Sequence, residues 1–86
     1  NSGKNPERQP DIATDVAAQI AAGNGAITGV MIESFLVGGR QDLEGPRPLR
    51  YGQSVTDGCL AWEPTVEVLE QLADAVRARR AVAASA

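Results

Sequence analysis

At 86 residues the chain is long enough for one small domain, but only a modest share of its surface can be buried. A formal net charge of −3 and a pI near 4.7, with basic residues scattered apart from Arg77, Arg79 and Arg80, argue against nucleic acid or an anionic membrane as its partner. The absence of histidine excludes a self-contained Ser-His-Asp, Cys-His or His-ligated zinc site, and the lone Cys59 forbids an internal disulfide and fits a reducing cytoplasm.

The amino end, Asn1–Gln9, is polar and carries Gly3 and Pro6, so it reads as a loop leading into a helix that starts between Pro6 and Asp11. It lacks the apolar core of a secretory signal, and no apolar run approaches the ~20 residues of a membrane span. Ile12, Val16 and Ile20 recur every fourth residue with Ala13 and Ala17 beside them, which predicts a helix over Ile12–Ala22. Asp11 and Asp15 suit its positive end. Gly23 is placed to cap its carboxyl end in the left-handed conformation.

Ala26–Ser34, AITGVMIES, follows at once. Its continuous apolar run, ending in Glu33, predicts a strand over Ala26–Glu33 buried on both faces. Such a strand needs neighbours for its N–H and C=O groups, since an unpaired buried group costs ~1–3 kcal/mol. Phe35–Trp62 is a long connection without a regular period, punctuated by Gly38, Gly39, Gly45, Gly52, Pro46 and Pro48. Loops of this length in small domains are most often functional. A second helix is expected over Thr65–Arg79, entered through Glu63-Pro64, with Val66, Leu69, Leu72, Ala73 and Val76 as its apolar stripe. Early glutamates and the late Arg77, Arg79 and Arg80 match its dipole. Ala81–Ala86 reads as a frayed, disordered tail.

Two carboxylates stand out. Glu33 ends the apolar run, where a parallel α/β fold builds its active sites, and Asp57 lies in the loop that follows. Converging on one mouth, they could hold a hard or borderline divalent cation or share a proton. Equally, Asp57-Gly58 is a common turn pair, and a glutamate at a strand end can simply be solvated. Cys59 reads as a small packed residue.

The wording of the chain adds to this. Gly29-Val30-Met31-Ile32-Glu33-Ser34, with Leu36-Val37 after it, closely resembles the last strand of the class I 3-deoxy-D-arabino-heptulosonate 7-phosphate (DAHP) synthases. Leu49–Trp62, LRYGQSVTDGCLAW, is similar to that family's signature around an acidic metal ligand. Asn1-Ser2, Trp62-Glu63, Leu72-Ala73 and Val76-Arg77-Ala78-Arg79-Arg80 also match, so the resemblance runs through nearly the whole chain.

It implies the C-terminal quarter of a (β/α)8 TIM barrel: helix 7, strand 8, a long catalytic-face loop and helix 8, in a single segment incomplete and inactive on its own. The implied reaction condenses phosphoenolpyruvate with erythrose 4-phosphate, the first step toward aromatic amino acids, in a cytoplasmic homo-oligomer. The resemblance maps a divalent metal's glutamate and aspartate ligands onto Glu33 and Asp57. The resemblance also implies that Asp57 orders the aldehyde end of the substrate. The cysteine and histidine ligands belong to other parts of the barrel, and two carboxylates do not select among manganese, iron, cobalt and zinc. Lys4, Arg8, Arg40, Arg47 and Arg50 read as surface charges rather than phosphate contacts. The rival reading from another class is a non-catalytic barrel fragment that docks on a partner sheet. A purely helical binding domain is disfavoured by Gly29 and the glycine loop before it.

Overall fold

The computed structural model of the chain describes residues 5–85. A 3-10 turn, Pro6–Arg8, leads into α1, Gln9–Ala21, and the long connection ends in α2, Trp62–Ser85. The amino-terminal loop expected at Asn1–Gln9 lies outside the described residues over its first four positions. The turn starts because Asn5 accepts the Glu7 N–H on its side-chain oxygen (3.1 Å) and Pro6 presents no N–H that needs a partner. At the other end of α1, Gly23 adopts φ +106°. Its N–H donates to Ile20 O (3.0 Å), and the Asn24 N–H donates to Gln19 O (3.1 Å). This pair of backward bonds is the Schellman arrangement that glycine permits.

The two helices pack against each other through small residues. Ala13, Ala17 and Ile20 of α1 meet Val68, Leu72 and Ala75 of α2, with Leu60 of the connection completing the buried core. Val16, Ile27, Ile32 and Val76 close over it, half-buried. α1 therefore buries the alanine side of its expected stripe. In α2 the buried positions are Thr65, Val68, Leu72 and Ala75, whereas Leu69 is 51% exposed and Ala73 is exposed. Helix α2 carries two apolar stripes, and the one facing α1 is rotated from the one the sequence reading chose. Both satisfy a period near 3.6, so periodicity alone cannot select between them. Thr65 is tolerated in the buried stripe because its Oγ1 donates to Ala61 O (2.7 Å).

The helix runs through Ala81 to Ser85, the expected tail's last residue, Ala86, lying outside the described residues, so that no basic residue falls in its last turn. Arg79 instead reaches sideways: its Nη1 donates to Asn24 O (3.1 Å) and Ile27 O (2.8 Å), tying α2 to the start of the extended segment. Arg77 pairs with Asp74 on the surface.

One expectation, the strand at Ala26–Glu33, is corrected. The segment is extended and not helical, but no strand forms among the described residues; only isolated bridges occur, Ser34 with Leu60 among them. Nor is it buried on both faces, since Met31 is 84% exposed and Val30 51%. The helices cover one face, and between Thr28 and Ile32 no backbone group finds a described partner. With no described backbone alongside Thr28–Ile32, the run does not form the central strand its composition suits.

The molecule is elongated, with a radius of gyration of 16.0 Å and extents of 60 × 21 × 16 Å. A compact chain of this length would have a radius near ~12 Å. The core is thin, because three of its seven members are alanines. Made alone, the 86-residue chain is expected to keep helical circular dichroism while binding a hydrophobic dye and melting over a broad range. A sharp, cooperative melt from a dye-negative monomer would contradict this account of its packing.

Candidate functional site

Glu33 lies at the point where the extended segment leaves the helices. Its backbone is held from two sides. The Gln9 side chain, at the start of α1, accepts the Glu33 N–H on Oε1 (2.8 Å) and donates Nε2 to the Glu33 carbonyl (2.9 Å). The same carbonyl accepts the Leu60 N–H (2.8 Å), and the Phe35 N–H donates to Leu60 O (2.9 Å). These bonds form the short parallel contact between Ser34 and Leu60. The residue itself is half-buried.

Asp57 is exposed, three positions before Leu60. The loop around it is irregular, as expected, but well bonded. Arg40 Nε donates to Thr56 O (2.9 Å), and Cys59 exchanges both backbone hydrogen bonds with Gly39 (2.8 and 3.1 Å). Ser54 is buried, with its Oγ accepting the Thr56 N–H (3.1 Å). Gly58 lies against Pro6; a Cβ there would sit 3.1 Å from Pro6 Cγ. The Asp57 and Glu33 segments thus come together beside the start of α1, one against Pro6 and the other against Gln9. Three extended residues span at most ~10 Å, which bounds how far Asp57 can stand from the Leu60–Glu33 contact.

Neither carboxylate takes a hydrogen bond or ion pair from a described residue, whereas Asp42 is paired with Arg40 (3.0 Å) and Asp74 with Arg77. Among the described residues no three of Asp, Glu or Cys gather into a cluster able to hold a metal. Among the described residues two acidic segments come together, and no third metal-ligating side chain joins them. Cys59 is half-buried and spends its backbone on Gly39; its Sγ lies 3.5 Å from Asp57 O. Arg8, Arg40, Arg47 and Arg50 are exposed, and Lys4 lies outside the described residues. Two hollows lie elsewhere. A groove of about 500 Å³ runs along the outer side of α2 at Val66, Leu69 and Ala73. A cleft of about 110 Å³ sits under Ile27 and Val30 beside Arg79. Neither of these two includes Glu33 or Asp57.

Three residues that sequence reasoning passed over shape this end of the molecule, and all are glutamines. Gln9 holds Glu33. Gln41 accepts the Arg50 N–H (2.8 Å) and donates to the carbonyls of Arg50 (2.8 Å) and Gln53 (3.0 Å). Gln53 donates to Gly38 O (2.9 Å). No local pattern marks a glutamine for such a task.

The path of the chain, an extended run flanked by two helices, is that of an aldolase-type enzyme family. Residues 1–70 match the DAHP synthetase I family, and the chain belongs to it. Over 80 residues it is 55% identical to the Phe-sensitive phospho-2-dehydro-3-deoxyheptonate aldolase of Escherichia coli K12, covering 93% of this chain and 23% of that protein. The Corynebacterium glutamicum phospho-2-dehydro-3-deoxyheptonate aldolase is 49% identical over 90 residues, covering 96% of this chain and 25% of that one. A solved structure of the Francisella tularensis SCHU S4 aldolase matches with a TM-score of 0.85 and 51% identity, over 92% of this chain and 23% of that one. The chain therefore spans about a quarter of the length of these relatives, and it follows the path of part of that solved structure.

The loop's shape depends on Gly52. It adopts φ +79°, its carbonyl accepts the Val37 N–H (2.9 Å), and a Cβ would lie 3.1 Å from Leu36 Cβ. Gly52→Ala in the complete protein is expected to cost about 1–2 kcal/mol, the scale of forcing an L-residue into left-handed backbone. A denaturant midpoint unchanged from the parent would show that the loop relaxes freely.

Proposed function

We propose that this chain is the C-terminal quarter of a (β/α)8-barrel DAHP synthase, in which Glu33 and Asp57 are two ligands of a catalytic divalent metal. Helix α1 is barrel helix 7, the extended Ala26–Glu33 is strand 8 awaiting its neighbours, and α2 is helix 8. The observation that carries the reading is the contact of Glu33 with Leu60, three residues beyond Asp57. It brings both carboxylate-bearing segments to the end of the extended run, which supports a site where a barrel strand would meet its catalytic loop. The exposed flank at Val30 and Met31 fits the same reading, as a surface for the remainder of the barrel to cover.

The donor set fits a metal in part. Two oxygen ligands free of competing partners suit a borderline divalent cation, and the family's cysteine and histidine ligands complete it from elsewhere in the barrel. When bound, such an ion supplies Lewis-acid polarisation of the erythrose 4-phosphate aldehyde toward attack by the enol carbon of phosphoenolpyruvate. Glu33 contributes negative charge from a fixed backbone, so its position does not have to be reorganised during reaction. Asp57 contributes a second charge from a loop braced by Arg40, Gly39 and Pro6, and it orders the aldehyde end of the substrate. Alone, the chain is inactive under this reading. Complete, it is a cytoplasmic homo-oligomer.

In the complete synthase, Asp57→Asn keeps the side-chain shape but removes a ligand charge. Turnover at saturating metal is expected to fall at least ~100-fold, the scale of losing a key electrostatic stabiliser, with weaker metal binding. Arg50→Ala, which removes an exposed loop charge, should change both far less. Full activity and unchanged metal content in Asp57→Asn would overturn the assignment of Asp57.

A further inference from the structure

We infer that Gln9 is a positioning residue for Glu33, setting the direction of its carboxylate through a two-point clamp on its backbone; this rests on the reading of Glu33 as a metal ligand. The Glu33 N–H belongs to the peptide plane before its Cα and the Glu33 C=O to the plane after it. Peptide planes are stiff, so fixing both fixes φ and ψ at Glu33, and with them the Cα–Cβ direction. One side chain holds both planes: Gln9 Oε1 accepts the N–H at 2.8 Å and Gln9 Nε2 donates to the C=O at 2.9 Å. This is the donor–acceptor pair a residue of a neighbouring strand would offer. It comes instead from the first residue of α1, whose buried face is locked to α2.

The clamp is placed selectively. From Thr28 to Ile32 no backbone group has a described partner, yet at the acidic residue both are engaged, with Leu60 sharing the carbonyl. The backbone groups of Met31, which an extended chain presents on the same edge as those of Glu33, have no such clamp among the described residues. Gln9 is half-buried itself, and its amide makes no other described contact.

The test is a double-mutant cycle in the complete enzyme, stripped of metal and titrated with manganese(II) by calorimetry, with the bound ion's magnetic resonance spectrum as a second readout. Gln9→Met keeps the length of the side chain and removes both hydrogen bonds. It is expected to weaken manganese(II) binding about 10-fold, as loss of a residue supporting a ligand commonly does, and to broaden the spectrum. In a Glu33→Gln background the same change should shift affinity less than about 2-fold, because Gln9 acts through the Glu33 carboxylate. Gln19→Met, on the exposed side of the same helix, controls for helix effects. Gln9→Asn, which keeps the amide but shortens its reach, carries the same cycle should Gln9→Met fail to fold. If Glu33→Gln weakens binding while the Gln9 variants match the parent, the clamp has no positioning role and the reading of Glu33 stands. An equal loss in both backgrounds shows a general structural effect and overturns the proposal too. Unchanged affinity in Glu33→Gln removes Glu33 as a ligand, and the proposal falls with it.

Discussion

Two hydrogen bonds at Leu60, one to the Glu33 carbonyl and one from the Phe35 N–H, hold the chain's long irregular connection closed. Together with the Gly39–Cys59 pair and the Trp62 N–H bond to Leu36 O (3.4 Å), they tie Glu33 to the start of α2 across more than two dozen residues of loop. Closure of a loop that long is entropically unfavourable, though the penalty grows slowly with length. Leu60 offsets it by burial as well as by bonding: it is 2% exposed and sits in the same core as the facing helices. One residue thereby joins the hydrophobic packing to the acidic end of the molecule. The position of Asp57 relative to Glu33 depends on it, since Asp57 precedes it by three residues.

The rest of the connection is held by side-chain amides. Gln9, Gln41 and Gln53 each satisfy backbone groups that a regular sheet would pair with another strand. A primary amide carries the donor and acceptor of a peptide unit at the end of a flexible stem, so it can reach irregular backbone that no strand could match in register. No buried side-chain polar atom among the described residues is left without a partner. A loop can hold a defined shape on these terms while its outer apolar residues, such as Tyr51 and Leu43, stay exposed.

Helix α2 serves two directions at once. Its inner stripe packs on α1, and Arg79 crosses to the carbonyls at Asn24 and Ile27, fixing where the extended segment begins. Hydrogen bonds from a guanidinium to backbone carbonyls are stronger than neutral ones, which suits a junction with little apolar burial. Its outer stripe, with Leu69 and Ala73, is exposed. An exposed apolar stripe and an unpaired extended edge, together with coverage of about a quarter of each relative's length, describe a segment whose surfaces suit a larger assembly.

Local signals in the sequence determined the elements that depend on near neighbours. The two helices, the glycine that ends α1, the extended run and the irregular loop were all legible, because caps, periods and turn residues act over a few positions. The wording around Glu33 and Asp57 was legible as well, as a family resemblance. Only the tertiary structure decided which of two apolar stripes on α2 is buried, that Arg79 reaches the carbonyls of Asn24 and Ile27, and that Gln9 holds Glu33. Each of these turns on a partner more than twenty positions away in the chain, and no window of local sequence contains both members of such a pair. The burial expected of Val30 and Met31 failed for the same reason: a strand's environment is set by the strands beside it, which its own residues can suit but cannot supply.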